Sequence, residues 1–356
     1  MRGRRRPKTE PPDISSVSRV LIIRIKSIGD LVLTTPLLSS IRKWRRDIFI
    51  SFVVDKPFAS LFTADPGIDS IISIIPGSLG MFSPIRKLRN SRFDLVINLH
   101  GGNRSALFTL ASRAKLKLGF EHFHYQFAYT HLIPHPQKIY KRNRTLHTVE
   151  NTLSPLLWLG IPVENPPRLR LFLPPTSGKR IKKRLEELRV ENGFVLIHPF
   201  ATFKSKEWPG ERFAKLGAMI RKELSLPVIF VSDTTREREF REKIFPIYPE
   251  ARYLVTRQLD ELAWLIKHCS LFIGNDAGPT HIAAALKKKI VVIFGSSDDR
   301  VWHPWGTSYS LVRHHLPCVP CPGKRCSQKP PFPCINSIEL DEVLSAVLSQ
   351  LDRKGW

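Results

Sequence analysis

Arg19-Val-Leu-Ile-Ile-Arg-Ile25, followed at once by Lys26-Ser-Ile-Gly-Asp30, decides how this chain folds. The first stretch is almost continuously apolar and lacks the alternation of a strand that faces water on one side. Such a run suits a strand buried on both faces of a parallel sheet. The second stretch reads as a turn. Beyond it, Leu31 to Trp44 reads as a helix with apolar positions at Leu33, Leu37, Leu38 and Ile41. Strand, turn and helix together form the first half of a βαβ unit.

The same alternation continues outward. Phe49 to Val54 and Phe93 to Leu99 read as strands, the latter ending at His100-Gly-Gly102. In the second half, strands are expected at Phe194 to His198, Pro227 to Val231, Leu271 to Gly274 and Ile290 to Phe294. Helices are expected at Glu211 to Glu223, Leu259 to His268, His281 to Leu286 and Leu340 to Leu351. The fold class is therefore α/β, with two Rossmann-like halves, their parallel sheets facing across a cleft.

Length agrees with two domains, since 356 residues exceed one ordinary core. Residues 1–17 are polar and basic and read as a flexible arm, with Arg2 to Arg6 and Lys8 leading into Glu10-Pro-Pro12 and not into a signal-peptide core. Residues 18–161 form the first domain. Residues 162–178 hold five prolines and read as a semi-rigid linker. Residues 179–356 form the second domain, with a Cys-rich loop at 318–334.

Charge sets the partner class. The 56 Lys and Arg outnumber 31 Asp and Glu, a formal net charge of +25. Nucleic acid, an anionic membrane face and a phosphorylated substrate all fit such an excess. Apolar runs stay shorter than a membrane helix needs. A cytoplasmic protein attached peripherally to a membrane is the expectation.

Chemistry is expected in the strand-end loops. Asp30 heads a helix, where it either caps the turn or removes a proton from a hydroxyl. The loop His198 to Pro209 carries Thr202, Lys204, Ser205 and Lys206; each lysine is either a phosphate contact or a solvated surface cation. Gly274-Asn-Asp-Ala-Gly-Pro-Thr-His281 runs from an apolar strand into an Ala-rich helix. Its small residues let a diphosphate approach exposed N–H groups, or they simply start the helix with His281 in the core. Neither a GxGxxG fingerprint nor an Asp-x-Asp metal site is present, so a dinucleotide oxidoreductase is not supported. Cys318, Cys321, Cys326 and Cys334 have a spacing that suits reduced packing thiols, a structural zinc or a disulfide.

Taken in order, these segments resemble the glycosyltransferase family that contains the ADP-heptose:lipopolysaccharide heptosyltransferases. The matching pieces are Ile25 to Pro36, Phe93 to Asn98, Lys206-Glu-Trp-Pro209, Gly274 to Ala285, Phe294-Gly295 and the Cys loop, so the likeness spans nearly the whole chain. The first half most resembles the branch labelled heptosyltransferase II or III. The resemblance implies the GT-B fold, with the acceptor in the N-terminal half and the nucleotide-sugar in the C-terminal half. It implies an inverting transfer of heptose from ADP-heptose to a lipid A-core acceptor, with no metal and no cofactor. Asp30 then matches the general base and Lys206 the lysine on the donor diphosphate. Thr202, Asp276, Ala277, Gly278, Pro279, Thr280 and His281 fall on the donor side, and Glu237 matches an acidic residue on the donor ribose. Lys26, Ser27, Gly29, His100, Asn103 and Arg104 fall on the acceptor side. Phe200 departs from the family, many members of which carry Gly there, and Ser296 to Arg300 is more acidic than expected.

The chemistry agrees with this assignment. Inversion in one displacement needs a carboxylate to deprotonate the acceptor and positive groups for the leaving diphosphate, which Asp30 and Lys206 would supply from opposite domains. A phosphorylated, lipid-linked acceptor at the inner face of the inner membrane would account for the charge without nucleic acid. The competing readings are a UDP- or GDP-sugar transferase acting on another glycan, a nucleotide-sugar epimerase, and a basic nucleic-acid-binding protein. Against the last, the basic residues are scattered and no RNP-like or zinc-finger motif occurs.

Overall fold

The computed structural model describes residues 6–75, 82–190 and 193–352. The chain divides into two compact units, Met1–Phe172 and Leu173–Trp356.

Unit 1 is built on a six-stranded sheet: β1 Arg19–Ile23, β2 Phe49–Asp55, β3 Ser70–Ile74, β4 Leu95–Asn98, β5 Leu116–Phe120 and β6 His131–Ile133. Their spatial order is β3-β2-β1-β4-β5-β6, and every pairing is parallel. Val20 is in register with Ile50 on one side and Leu95 on the other. β1 is therefore central, and Leu21, Ile22 and Ile23 are fully buried. This is why β1 reads as a continuous apolar run.

Unit 2 repeats the order with β7 Val195–His198, β8 Val228–Asp233, β9 Arg252–Thr256, β10 Leu271–Asn275, β11 Lys289–Ile293 and β12 Tyr309–Val312. The sheet runs β12-β11-β10-β7-β8-β9, again all parallel. In each sheet the chain builds outward from the centre, then crosses back and builds the other way. The reversal lies between β1 and β4 in unit 1, and between β7 and β10 in unit 2. Ligands of open α/β sheets bind outside the carboxyl ends of the strands at such a switch point.

Several local expectations need correction. Leu31 to Trp44 is not one helix: a short helix Ile28–Val32 is followed by Thr35–Trp44. Pro36 sits in the first turn of the second helix, where its missing N–H costs nothing, whereas in a helix interior it would leave a carbonyl unpaired. Residues 1–5 of the basic arm lie outside the described residues, but from Lys8 onward the segment is held. Lys8 N–H donates to the Thr130 carbonyl at 2.9 Å, Leu132 N–H donates to the Lys8 carbonyl at 2.8 Å, and Ile14 and Val17 are buried. The expected linker is shorter than 162–178, because a helix starts at Pro175 and runs to Glu187.

Edge strands went unread. β3, β6, β9 and β12 are the four sheet edges, and β5 lies next to one of them. An edge strand has fewer neighbours and needs no continuous apolar run, so its sequence signal is weak. Among the described residues, no helix is long and apolar enough to cross a membrane.

Candidate active site

In unit 1, the residues expected on the acceptor side gather at the carboxyl ends of β1, β2 and β4. The helix Ile28–Val32 carries Asp30 in its first turn, with Ser27 as N-cap. Ser27 donates to Asp30 Oδ2 twice, from its amide at 3.1 Å and its hydroxyl at 3.0 Å. The remaining carboxylate oxygen is paired with the Arg24 guanidinium, which also donates to the Leu99 carbonyl. Asp30 is thus a capping residue and an ion-pair partner at once. Burial pushes its pKa up, but the Arg24 charge and the Arg24 and Ser27 hydrogen bonds outweigh it and leave the carboxyl below its ordinary value.

His100 is placed by Asn98, a fully buried side chain at the end of β4. Asn98 Oδ1 accepts from the amides of His100 at 2.9 Å and Gly101 at 3.2 Å, while its Nδ2 donates to Thr109 and Tyr129. Gly101 has φ +75°, and a Cβ there would meet the Phe123 ring at 2.5 Å, so only glycine fits the turn. Burial, then the adjacent Arg24 charge, lowers the His100 pKa to about 4, so its imidazole is neutral at pH 7. Arg104 pairs with the buried Asp55 at the end of β2, at 2.8 Å. Lys26 and Asn103 are exposed, and Gly29 is buried.

Unit 2 holds a second cluster at its own switch point. Lys206 Nζ meets Asp276 Oδ2 at 2.8 Å, with the Asp276 side chain only 4% exposed. Asn275 ties the two loops together: its Oδ1 accepts from the Trp208 amide at 3.0 Å and its Nδ2 donates to the Pro199 carbonyl at 2.9 Å. The helix Gly278–Ala285 follows, with Ala277 as an N-cap residue that supplies no side-chain bond. Pro279 has no N–H and the Thr280 N–H donates to the Ala277 carbonyl at 3.1 Å, so the Gly278 amide is what the first turn keeps for an anion. Thr280 turns its hydroxyl to the Asn275 carbonyl at 2.7 Å, and His281 is buried.

The loop after β7 is fixed from two directions. Arg236 donates to the Ala201 carbonyl at 2.7 Å and to Glu207 at 3.0 Å, and lies over the Phe200 ring at 5.2 Å. Phe200 itself belongs to the unit 2 core. Glu239 bonds to Lys204, Arg236 and Lys243; burial raises its carboxyl, but Lys243, Lys204 and Arg236 bring it down to about 2. Glu237 pairs with Arg241 on the surface at 2.9 Å, so the loop network runs through Glu239 instead. Thr202 is exposed.

The Cys loop has a structural place that spacing did not reveal. It packs on the 3-10 turn Lys204–Lys206: Ser205 Oγ donates to the Gly323 carbonyl at 2.7 Å, and Cys321 N–H donates to the Ser296 carbonyl at 2.9 Å. All five cysteines are free thiols, so the loop holds no disulfide. Burial, then the neighbouring Cys321, Cys318 and Cys326, pushes the Cys334 thiol up to about 11. Among the described residues no group of three or more His, Cys, Asp or Glu is placed to hold a metal ion. The acidic stretch after Phe294 is likewise structural, with Asp298 capping the helix Asp299–Trp302 and Asp299 pairing with Arg313. Gly295 allows the turn its close approach, because a Cβ there would collide with the Ser205 carbonyl oxygen. Gly295→Ala is expected to destabilise unit 2 by about 1–3 kcal/mol, read as a lower urea midpoint.

Comparison with known proteins bears on the same residues. The family model described as Glycosyltransferase family 9 (heptosyltransferase) matches residues 81–331, well over half of the chain. The chain belongs to glycosyltransferase family 9. It is similar to lipopolysaccharide heptosyltransferase 3 of Escherichia coli K12, at 28% identity over 292 residues, covering 78% of this chain and 82% of that protein. Two solved structures share its fold. One is the glycosyl transferase family 9 from Veillonella parvula DSM 2008, with TM-score 0.78, 19% identity and coverage of 94% and 97%. The other is E. coli heptosyltransferase WaaC with ADP-2-deoxy-2-fluoro heptose, with TM-score 0.68, 17% identity and coverage of 95% and 100%. This family 9 member is thus a glycosyltransferase of the lipopolysaccharide heptosyltransferase kind, with the GT-B fold. The residues missed by sequence reasoning, Arg24, Asp55, Glu207 and Arg236, are the charged partners that hold the expected ones. Only Arg24 left a signal, as a lone cation inside an apolar strand.

Proposed function

We propose that this family 9 enzyme transfers heptose from ADP-heptose to the inner core of lipopolysaccharide, with inversion and without a metal, at the inner face of the inner membrane. The observation that carries the reading is the Lys206–Asp276 pair beside a helix N-terminus with no side-chain cap. Lysine has three donors, and Asp276 occupies one of them. The others, with the Gly278 amide at the helix start, suit a diphosphate. The solved relative bound to an ADP-heptose analogue supports the choice of nucleotide.

In this reading unit 1 holds the acceptor and Asp30 is the base. The acceptor hydroxyl oxygen attacks the anomeric carbon while Asp30 takes its proton. The bond from that carbon to the phosphate oxygen breaks, and ADP leaves with the electron pair. Lys206 and the Gly278 amide at the start of the helix Gly278–Ala285 neutralise the charge that grows on the diphosphate. His100, neutral at pH 7, and the exposed Lys26 and Asn103 contact the sugar acceptor, with Ser27 and Gly29 shaping the turn and Arg104 meeting acceptor phosphate. Asp276 holds Lys206 in place and faces the donor sugar, with Ala277 to His281 forming the diphosphate side and Thr202 and Glu237 at its margin.

A base must be ionised to act, so activity falls as pH drops through the Asp30 pKa. Because that pKa is lowered, the acid limb of the kcat/KM profile is expected below the ordinary carboxylate range. Arg24→Gln removes the largest lowering influence and leaves only the Ser27 hydrogen bonds to oppose burial, so the limb should move to higher pH. An unmoved limb would take the titration away from Asp30.

The donor is tested by thermal shift with ADP-, UDP- and GDP-sugars. A ligand at about 100 times its Kd stabilises the native state by about 2.7 kcal/mol, a shift of several degrees. The ADP-sugar alone should give that shift. A larger shift with UDP- or GDP-sugar would favour the competing transferase reading.

A further inference from the structure

The helix Asn103–Ala111 begins beside the acceptor-side cluster and presents one outer stripe to solvent. Asn103, Leu107, Leu110 and then Arg113 follow at spacings of three and four, and all four are exposed. Leu107 is 39% exposed and Leu110 is 42% exposed. The 3-10 turn Gln126–Ala128 packs against this helix, Ala128 clusters with Ala106 in a small apolar core, and Phe127 is 55% exposed. Leucine and phenylalanine at these exposures form an apolar patch on an otherwise strongly charged protein.

The sequence around the patch carries far more cations than acids, and the neighbouring acids Asp55, Asp69 and Glu121 are each ion-paired, with Arg104, Arg42 and Lys138. From residue 70 to residue 120 the chain has eight cations, Arg86, Lys87, Arg89, Arg92, Arg104, Arg113, Lys115 and Lys117, against a single acid, Asp94. Asp94 is already engaged, accepting from the Ser18 amide and hydroxyl and from the Arg19 amide. The helix Phe82–Asn90 packs beside Asn103–Ala111 and carries Arg86, Lys87 and Arg89 on its exposed positions. Among the described residues, Arg86, Arg89, Arg92, Arg113 and Lys115 make no salt bridge.

We propose that this apolar patch, rimmed by Arg86, Arg89, Arg92, Arg113 and Lys115, is the surface on which unit 1 sits on an anionic lipid bilayer. Apolar side chains enter the boundary between headgroups and acyl chains, while cations beside them meet the headgroup phosphates. A nucleic acid would use the cations but not the exposed leucines. A second copy of the chain would bring its own basic rim against this one. Charge complementarity therefore selects the bilayer. The inference deepens the proposed function, on which the lipid-borne nature of the acceptor rests: the patch adjoins the helix start that carries Asn103 and Arg104.

Vesicle flotation with the full chain tests it, comparing phosphatidylglycerol-containing vesicles with pure phosphatidylcholine. Binding should require the anionic lipid and weaken as salt rises, because screening acts within about 8 Å at physiological ionic strength. Leu107→Ser with Leu110→Ser, and separately Arg86→Gln with Arg89→Gln and Arg92→Gln, should each lower binding at least tenfold. The two variant sets keep the test open if one fails to fold, which thermal melting reports. Transfer to a delipidated, water-soluble acceptor should stay at the wild-type rate in both. Wild-type binding that both variants retain, or no vesicle binding while RNA is retained at the same salt, overturns the proposal. So does a loss of self-association in the leucine variant without loss of lipid binding. If vesicle binding behaves as expected but no acceptor is glycosylated, the docking surface stands and the heptose reading fails.

Discussion

Asp30→Asn is expected to lower turnover by about 10²- to 10⁴-fold, the range that a positioned general base contributes. The substitution keeps the shape of the side chain. Asparagine accepts from Ser27 as aspartate does, so the cap is retained while the proton acceptor and the Arg24 ion pair are lost. Donor affinity should stay near wild type, because Asp30 lies in unit 1 and the proposed donor loops lie in unit 2. This separates a catalytic role from the purely structural one that the capping geometry also allows. A capping residue alone would cost about 1 kcal/mol of stability and leave turnover within a few-fold. A turnover loss below about tenfold with an intact fold would place the base elsewhere.

Lys206→Gln should act differently, weakening ADP binding by about tenfold to a hundredfold and slowing transfer as well. Charge-assisted hydrogen bonds contribute about 1.5–3 kcal/mol, and a diphosphate contact acts in ground and transition states alike. The substitution also leaves Asp276, almost fully buried, without its cation. An uncompensated buried carboxylate is strongly destabilising, so a lower Tm is expected alongside the binding loss. Asp276→Asn in the same background relieves that charge and should recover stability without recovering ADP affinity. Calorimetric titration of ADP reads the outcome. Wild-type affinity in Lys206→Gln would return Lys206 to the role of structural partner to Asp276.

How much of this was legible follows from burial. β1, β7 and β10 are central strands with apolar neighbours on both sides, and their sequences announce them. Asp30, His100, Lys206 and Asp276 were therefore expected to follow the carboxyl ends of β1, β4, β7 and β10, and that is where they lie. Edge strands such as Tyr309–Val312 are only partly buried, and a four-residue sequence with a serine in it gives no periodic signal. The ion-pair partners were hidden for another reason. Arg104 meets Asp55 across 49 positions of sequence, and Lys206 meets Asp276 across 70. Such pairs exist only once the sheet order is known. The place of the Cys loop was hidden in the same way: Cys334 against the Ser205 carbonyl and Cys321 against the Ser296 carbonyl make the loop part of the support for the Lys206 turn.

Direct assay of sugar transfer tests the central claim most sharply. The purified chain is incubated with ADP-heptose and a series of lipopolysaccharides truncated before and after each inner-core heptose, in the presence of a chelator, and each acceptor is weighed by mass spectrometry. The account predicts an acceptor heavier by one heptose residue, release of one ADP per transfer, and no loss of rate on chelation. Unchanged mass in every acceptor in the presence of intact ADP-heptose, or a mass gain only when a UDP- or GDP-sugar is supplied, would contradict it.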